Sequence, residues 1–196
     1  MMSEIYQAMR RHDRSMPNDF AEKVIDQAQY GVLNMPDQPY PYAIPLSMIR
    51  HNQTLYFHSA RAGKKVDLLE DGMAVCVTFV GQVQVPNLYS ESEVETIAAD
   101  PTAWGTLART VFTTEFESAI IYGKIRKVTN EKELRKALRL IAKKYVPKHY
   151  SLVDKAIDTA FDYVQVYAIE IEHLSSKRKK YDDQGQEMKH ARGWKV

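Results

Sequence analysis

The stretch Leu55-Tyr56-Phe57-His58-Ser59-Ala60-Arg61-Ala62-Gly63-Lys64-Lys65-Val66-Asp67-Leu68-Leu69 decides more about the fold than any other part of the chain. Its first residues, through His58, predict a strand. Small residues then predict a turn, and the segment from about Ala62 to Leu69 predicts a short helix. A strand that runs out into a helix with two lysines in its first turn suits a phosphate monoester. Unpaired backbone N–H groups at the helix start donate hydrogen bonds, Ser59 adds a hydroxyl, and Lys64 or Lys65 supplies full charge. A solvated helix start explains the same residues without any ligand.

Upstream of this stretch, Asn18 and Asp19 are placed to cap a helix through about Gln29, with Phe20, Val24, Ile25 and Ala28 on one face. Strand-like text covers Tyr30 to Asn34, Tyr42 to Ile49, Thr54 to His58 and Met73 to Val80. The breaks fall at Met35-Pro36-Asp37-Gln38-Pro39 and at His51-Asn52. Two hairpins followed by a helix-connected strand form a barrel-type opening.

Downstream, Val80 to Arg109 is irregular, with Pro86 and Pro101 bracketing a helix from about Ser92 to Ala99. We expect an insertion over the barrel here. Phe112 to Val128 predicts a long strand with Gly123 the place for a bulge. Asn130 caps a further helix, with Glu133 where a capping box needs it and Leu134, Leu138, Ile141 and Tyr145 at helical spacing before Pro147. Ser151 to Thr159 predicts another helical turn or two. Tyr163 to Glu172 predicts a last strand, apolar on both faces and therefore covered on both. The expected organisation is one domain over 1–174, with 80–110 as the insertion, and a basic tail over 175–196 that is extended or mobile.

Composition sets outer limits on function. The 196 residues suffice for one core, and 44% hydrophobic with 27% charged residues is an ordinary globular balance. A net charge of +2 gives no global pull toward nucleic acid or membrane. Cys76 is the only cysteine, so no intramolecular disulfide forms, and its apolar strand makes it a core residue before a nucleophile. No apolar segment follows Arg10, Arg11 and Arg14 to make a signal peptide, and no apolar run reaches the roughly eighteen residues of a spanning helix. The expectation is a cytoplasmic protein without membrane contact. Histidines at 12, 51, 58, 149, 173 and 190 show no metal-ligand spacing, so no metal site is expected. Nucleophile-elbow and Walker motifs are absent. Lys177-Arg178-Lys179-Lys180 precedes Asp182, Asp183 and Glu187, which favours a solvated tail, or an arm reaching a second copy, over a nucleic-acid surface.

Several segments match one family in order: Met9-Arg10-Arg11-His12-Asp13-Arg14, Tyr42-Ala43-Ile44-Pro45-Leu46-Ser47, Leu55 to Ala60 with Gly63-Lys64-Lys65, Val75-Cys76-Val77, and Phe116-Glu117-Ser118-Ala119-Ile120-Ile121-Tyr122-Gly123-Lys124. Through them the chain resembles the pyridoxamine 5'-phosphate oxidase-like FMN-binding split-barrel proteins, in particular their nitroimidazole reductase branch. The resemblance implies an α+β fold, mainly β with α: a six-stranded split β-barrel with flanking helices. It further implies a homodimer with FMN at the subunit interface. Pro45, Leu46 and Ser47 would line the isoalloxazine, while Phe57, His58 and Ser59 would run along the ring and ribityl chain. Lys64 and Lys65 would hold the phosphate, and Glu117 and Ser118 would approach from the other subunit. The family often has arginine where Lys64 stands; lysine keeps the charge but not the bidentate fork.

The implied activity is an FMN-dependent oxidoreductase that passes electrons from NAD(P)H to a small organic acceptor such as a nitroimidazole or another nitroaromatic. With no dinucleotide fingerprint, the donor would bind transiently over the flavin. His58 is the catalytic candidate, donating a proton to a reduced nitro group or binding a substrate carboxylate. It could equally hydrogen-bond the flavin or a backbone carbonyl. Trp104 and Tyr89 are either substrate-stacking or core residues. The alternatives are a non-catalytic binding module for flavin, heme or deazaflavin and, third, pyridoxamine phosphate oxidation itself.

Overall fold

The leader ends in a two-residue strand, β1 (Ser15–Met16), and α1 (Asn18–Gln27) follows at once in the computed structural model, which describes residues 9–190. Phe20, Val24 and Ile25 lie on its inner face with at most 2% exposure. Burial of each contributes about 1.5–3 kcal/mol. Pro17, not Asn18, occupies the N-cap position.

Next come β2 (Gly31–Met35), β3 (Tyr42–Leu46), β4 (Ile49–His51), β5 (Thr54–Ala60), α2 (Lys64–Leu68) and β6 (Ala74–Gln84). They are followed by α3 (Glu91–Ala98), α4 (Trp104–Thr110), β7 (Glu115–Lys127), α5 (Glu131–Tyr145), α6 (Val153–Ala160) and β8 (Val164–Lys179). All strand pairings are antiparallel, in the order β3-β2-β6-β7-β8-β5-β4, with β1 added along β8. The sheet does not close: β3 and β4 are its two ends. This is the α+β architecture expected, a split barrel with its core between the curled sheet and α1.

The single strand expected from Tyr42 to Ile49 is divided into β3 and β4, because the chain crosses there from one end of the sheet to the other. Met48, fully buried, is the hinge. Its N–H donates to the Tyr145 hydroxyl at 2.9 Å, and that hydroxyl donates back to its carbonyl at 2.9 Å. The capping box expected at α5 is half formed. Asn130 Oδ1 accepts from the Glu133 N–H at 3.1 Å, but the Glu133 carboxylate is engaged elsewhere. Arg126 donates to both of its oxygens, at 2.6 and 3.1 Å, and the Tyr56 hydroxyl donates at 2.9 Å. That cluster fastens α5 to the sheet. Burial is the larger cause, and the Glu133 hydrogen bond the smaller, that pushes the Tyr56 phenol up to about 12.

The strand expected to end at Glu172 continues to Lys179. Residues Ser175 to Lys179 pair with Phe116 to Ile120 on β7, and Ser176 and Lys177 also pair with β1. Ser176 is buried and donates to the Met16 carbonyl at 3.1 Å. The basic run is therefore ladder and not solvated tail through Lys179, with Arg178 and Lys179 both buried. The segment after β6 packs α3 against α4. It is tied to the C-terminal segment, where the Tyr181 hydroxyl donates to the Arg109 carbonyl at 2.6 Å.

The β7–β8 register slips at Gly123, where a bulge was expected, but the extra residue is Glu172 on β8: Tyr122 pairs with His173 and Gly123 with Ile171. A Cβ at Gly123 would stand 2.2 Å from the Glu170 carbonyl oxygen. Backbone cannot yield as a side chain can. Gly123→Val is expected to lower the unfolding free energy by about 3 kcal/mol, read from a shifted urea midpoint; an unchanged midpoint would show that the bulge tolerates a side chain.

Candidate functional site at the barrel seam

The two open edges of the sheet bring most of the predicted site residues to one seam. On one side is β3, an edge strand, where Pro45 pairs with Val32 and Leu46 with Gly31. A proline is tolerated there because an edge strand needs no N–H on its free side. On the other side is β5. Strand β4 covers only Thr54 to Tyr56, so from Phe57 to Ala60 the edge of β5 away from β8 has no strand beside it among the described residues. Backbone donors and acceptors on that edge are open to a ligand.

Helix α2 sits at the base of the seam. Lys64 Nζ lies 2.8 Å from Asp37 Oδ2, in the β2–β3 connection, and 5.0 Å from the centre of the Tyr42 ring on β3. Its neighbour Lys65 Nζ lies 6.0 Å from the centre of the Phe57 ring on β5. Two consecutive lysines thus reach the two sides. The ion pair lowers the Asp37 pKa and raises that of Lys64, through the direct hydrogen bond first. Lys65 is half-buried, and desolvation lowers its pKa; among the described residues it has no carboxylate partner. Gly63 starts the helix at a φ of 108°, without a side-chain cap, and a Cβ there would meet nothing within 4 Å. The helix start faces open space.

Alternation along β5 divides the predicted trio. Phe57 is fully buried and stacks on Tyr167 with ring centres 5.3 Å apart, and Ser59 is buried on the same face. His58 points the other way and keeps its outer edge in solvent. Desolvation, and after it the charge of Lys65, lowers the His58 pKa. Its imidazole therefore stays neutral to lower pH than a free histidine. Ser47 lies beside the Tyr145 hydroxyl, which is bonded to the hinge at Met48. Asp37 was not anticipated; its segment signalled only a break between strands.

Glu117 and Ser118 do not join this group within one chain. They pair with Arg178 and Lys177, at the far end of β8 from Val166, the partner of His58. A straight strand from Val166 to Lys177 would span about 36 Å. Ser118 lines a surface cavity of about 770 Å³ together with Ile120, Tyr122, His173, Lys177 and His12. Glu117 faces the opposite side, where a Cβ on Gly81 would come within 2.9 Å of its own. Trp104 is half exposed and is not a core residue, and Tyr89 is half-buried. Burial raises the Cys76 thiol pKa, which leaves it poorly suited to nucleophilic attack. Among the described residues no His, Cys, Asp and Glu side chains gather into a metal site, and no helix is long and apolar enough to cross a membrane.

Residues 17–93 and 89–178 match the pyridoxamine 5'-phosphate oxidase family, and the chain belongs to it. No curated protein matches. Among solved structures, a candidate 5-nitroimidazole antibiotic resistance protein from Bacteroides thetaiotaomicron is 22% identical, with a TM-score of 0.61 over 84% of this chain and 86% of that one. The flavocytochrome Anf3 from Azotobacter vinelandii is 15% identical, with a TM-score of 0.69 over 91% of this chain and 75% of that one. The FAD and heme binding protein from Mycobacterium smegmatis is 14% identical, with a TM-score of 0.65 over 85% and 73%. At these identities the likeness is one of fold.

The seam's electrostatics can be checked directly. In an NMR titration the His58 midpoint should lie below the ordinary histidine value and rise in Lys65→Met. It should remain depressed in that variant, because burial is the larger cause. A lowered folded-state pKa means that the unfolded chain takes up the proton first. The His58 contribution to stability is therefore lost as pH falls through about 6.5 toward the folded value.

Proposed function

We propose that the chain is an FMN-dependent oxidoreductase, a cytoplasmic homodimer that reduces a small organic acceptor of the nitroimidazole or nitroaromatic type with electrons from NAD(P)H. The observation that carries the reading is Lys65: a half-buried ammonium without a carboxylate partner among the described residues, beside an uncapped helix start that opens into free space. A phosphate monoester would supply the missing charge. Bound FMN would supply hydride and electron transfer at its ring.

The chain's own residues take up the remaining roles. Lys65 holds the phosphate, and Lys64 joins it or continues to brace Asp37 across the seam. The free β5 edge at Phe57 to Ala60 offers main-chain hydrogen bonds along the cofactor. With its ring buried against Tyr167, Phe57 contributes backbone and a rigid floor rather than a stacking face. Pro45 and Leu46 bound the ring from the β3 side, and Ser47 through its link to Tyr145 fixes that turn. His58, neutral and half open to solvent, sits where it can exchange a proton with a bound acceptor. Dimerisation would bring Ser118, and the backbone of Glu117, to the partner's seam, which is the reason both lie so far from His58 in one chain.

A second reading, a non-catalytic module for flavin or heme, draws support from fold neighbours whose names include an FAD and heme binding protein and a flavocytochrome. Purified protein should be yellow, release FMN on denaturation, and run as a dimer in light scattering. Lys65→Gln should weaken flavin binding roughly 10- to 100-fold, the worth of one charge-assisted hydrogen bond. His58→Ala should keep its flavin while nitroaromatic turnover with NAD(P)H collapses. Released FAD or heme, or flavin that NAD(P)H does not reduce, would favour the binding module.

A further inference from the structure

A second cavity, of about 520 Å³, lies away from the seam and is built from three segments the flavin reading leaves without a role. The leader contributes Arg11 and Arg14, α4 contributes Arg109, and the end of β8 with the segment after it contributes Lys179, Glu187 and Lys189. Five of these six side chains are cations. Their internal partners are few. Arg11 is held by Asp13 in a two-point pair at 2.7 and 2.8 Å, and Lys189 reaches the same carboxylate at 2.6 Å. Arg14 pairs with Glu187 at 2.5 Å. Glu115, which accepts from the Tyr181 N–H at 2.6 Å, is the one other carboxylate acting on Lys179.

Five cations against Asp13, Glu187 and Glu115 leave a surplus of two positive charges. Arg109 and Lys179 make no ion pair among the described residues, and Glu187 and Glu115 act on Lys179 only from a distance. Lys179 is 7% exposed, and its hydrogen-bond partner is the Thr113 hydroxyl, which cannot neutralise it. Leaving a buried ammonium without a counter-charge is costly. Desolvation, and after it Arg14, lowers the Lys179 pKa, as a group short of negative charge requires.

We infer that this cavity is a binding site for a small dianionic oxyanion of the phosphate type, apart from the Lys64–Lys65 seam of the same chain. Arg109, which makes no ion pair among the described residues, offers a guanidinium fork that suits tetrahedral oxyanions, the N–H groups of Arg11 and Arg14 not used on Asp13 and Glu187 add to it, and two negative charges match the surplus. The volume lies within the range of small-ligand sites and holds more than the anion itself, so a phosphorylated small metabolite fits the same chemistry. The leader at Arg11 to Arg14 and the segment after β8 would be fixed by the ligand at once.

Isothermal titration of the flavin-loaded protein with inorganic phosphate at pH 8, against sodium chloride at equal ionic strength, tests the site. One phosphate per chain is expected. Arg109→Gln, at an exposed position where folding is not at stake, should weaken it about tenfold; Lys179→Gln should do at least as much. The remote exposed Lys148→Gln should change affinity by less than about twofold. Phosphate binding that survives Arg109→Gln but disappears in Lys65→Gln would assign the heat to the seam and overturn the inference. So would the absence of any heat beyond the chloride control.

Discussion

The antiparallel ladder between β7 and β8 is the constraint on which the rest of the molecule depends. It runs from Phe116 opposite Lys179 to Lys127 opposite Tyr167, interrupted once at Gly123. Beyond β7, β8 also carries β5 and β1, so one strand joins nearly everything of consequence. A ladder this long must bend to enclose a core, and the extra residue of the bulge lets it do so.

That one strand also explains how two chemically distinct places coexist in a small domain. At its Val164 end β8 presents β5, and with it the seam where Lys64 and Lys65 reach to either side. At its Lys179 end it enters the cationic cavity between the leader and α4. The two places share no side chain. Charge is handled differently at each: Lys64 is neutralised by Asp37 in the open, whereas Lys179 is buried without such a partner. Next to Lys179, Arg178 has its Nε buried without a hydrogen-bond partner among the described residues, and its guanidinium lies 5.6 Å from the centre of the Phe20 ring. The aromatic face offsets part of that desolvation.

Much of the fold was legible from local rules. Helical spacing placed α1 and α5, Gly123 marked where the β7–β8 register slips, and apolar residues on both faces of the last strand foretold that both are covered. What the sequence concealed was decided by long-range partners. Glu133 fits a capping box by spacing, but Arg126, just before the helix, and Tyr56, far away in the chain, compete for its carboxylate and win. The basic run at Lys177 has the composition of a solvated arm, yet pairing with β7 and β1 turns it into strand. Period-two alternation alone would have shown that Phe57 and His58 face opposite ways, so that separation was available in advance. The link between Lys64 and Asp37 was not, because nothing in the loop around Asp37 indicates that it folds back over α2.

The position of β8 within the sheet also bears on biosynthesis. It is the last strand to be made, yet it lies between β7 and β5 and pairs with β1, near the opposite end of the chain. Until it leaves the ribosome, the β4–β5 hairpin has no strand to pair with along β5, and the free edge of β7 is open to any passing strand. Contacts so distant in sequence form slowly, and exposed edges invite association in the meantime. Completion of the barrel therefore waits on the synthesis of Val164 to Lys179, and a nascent chain stalled before Val164 is the form of this protein with most need of a chaperone.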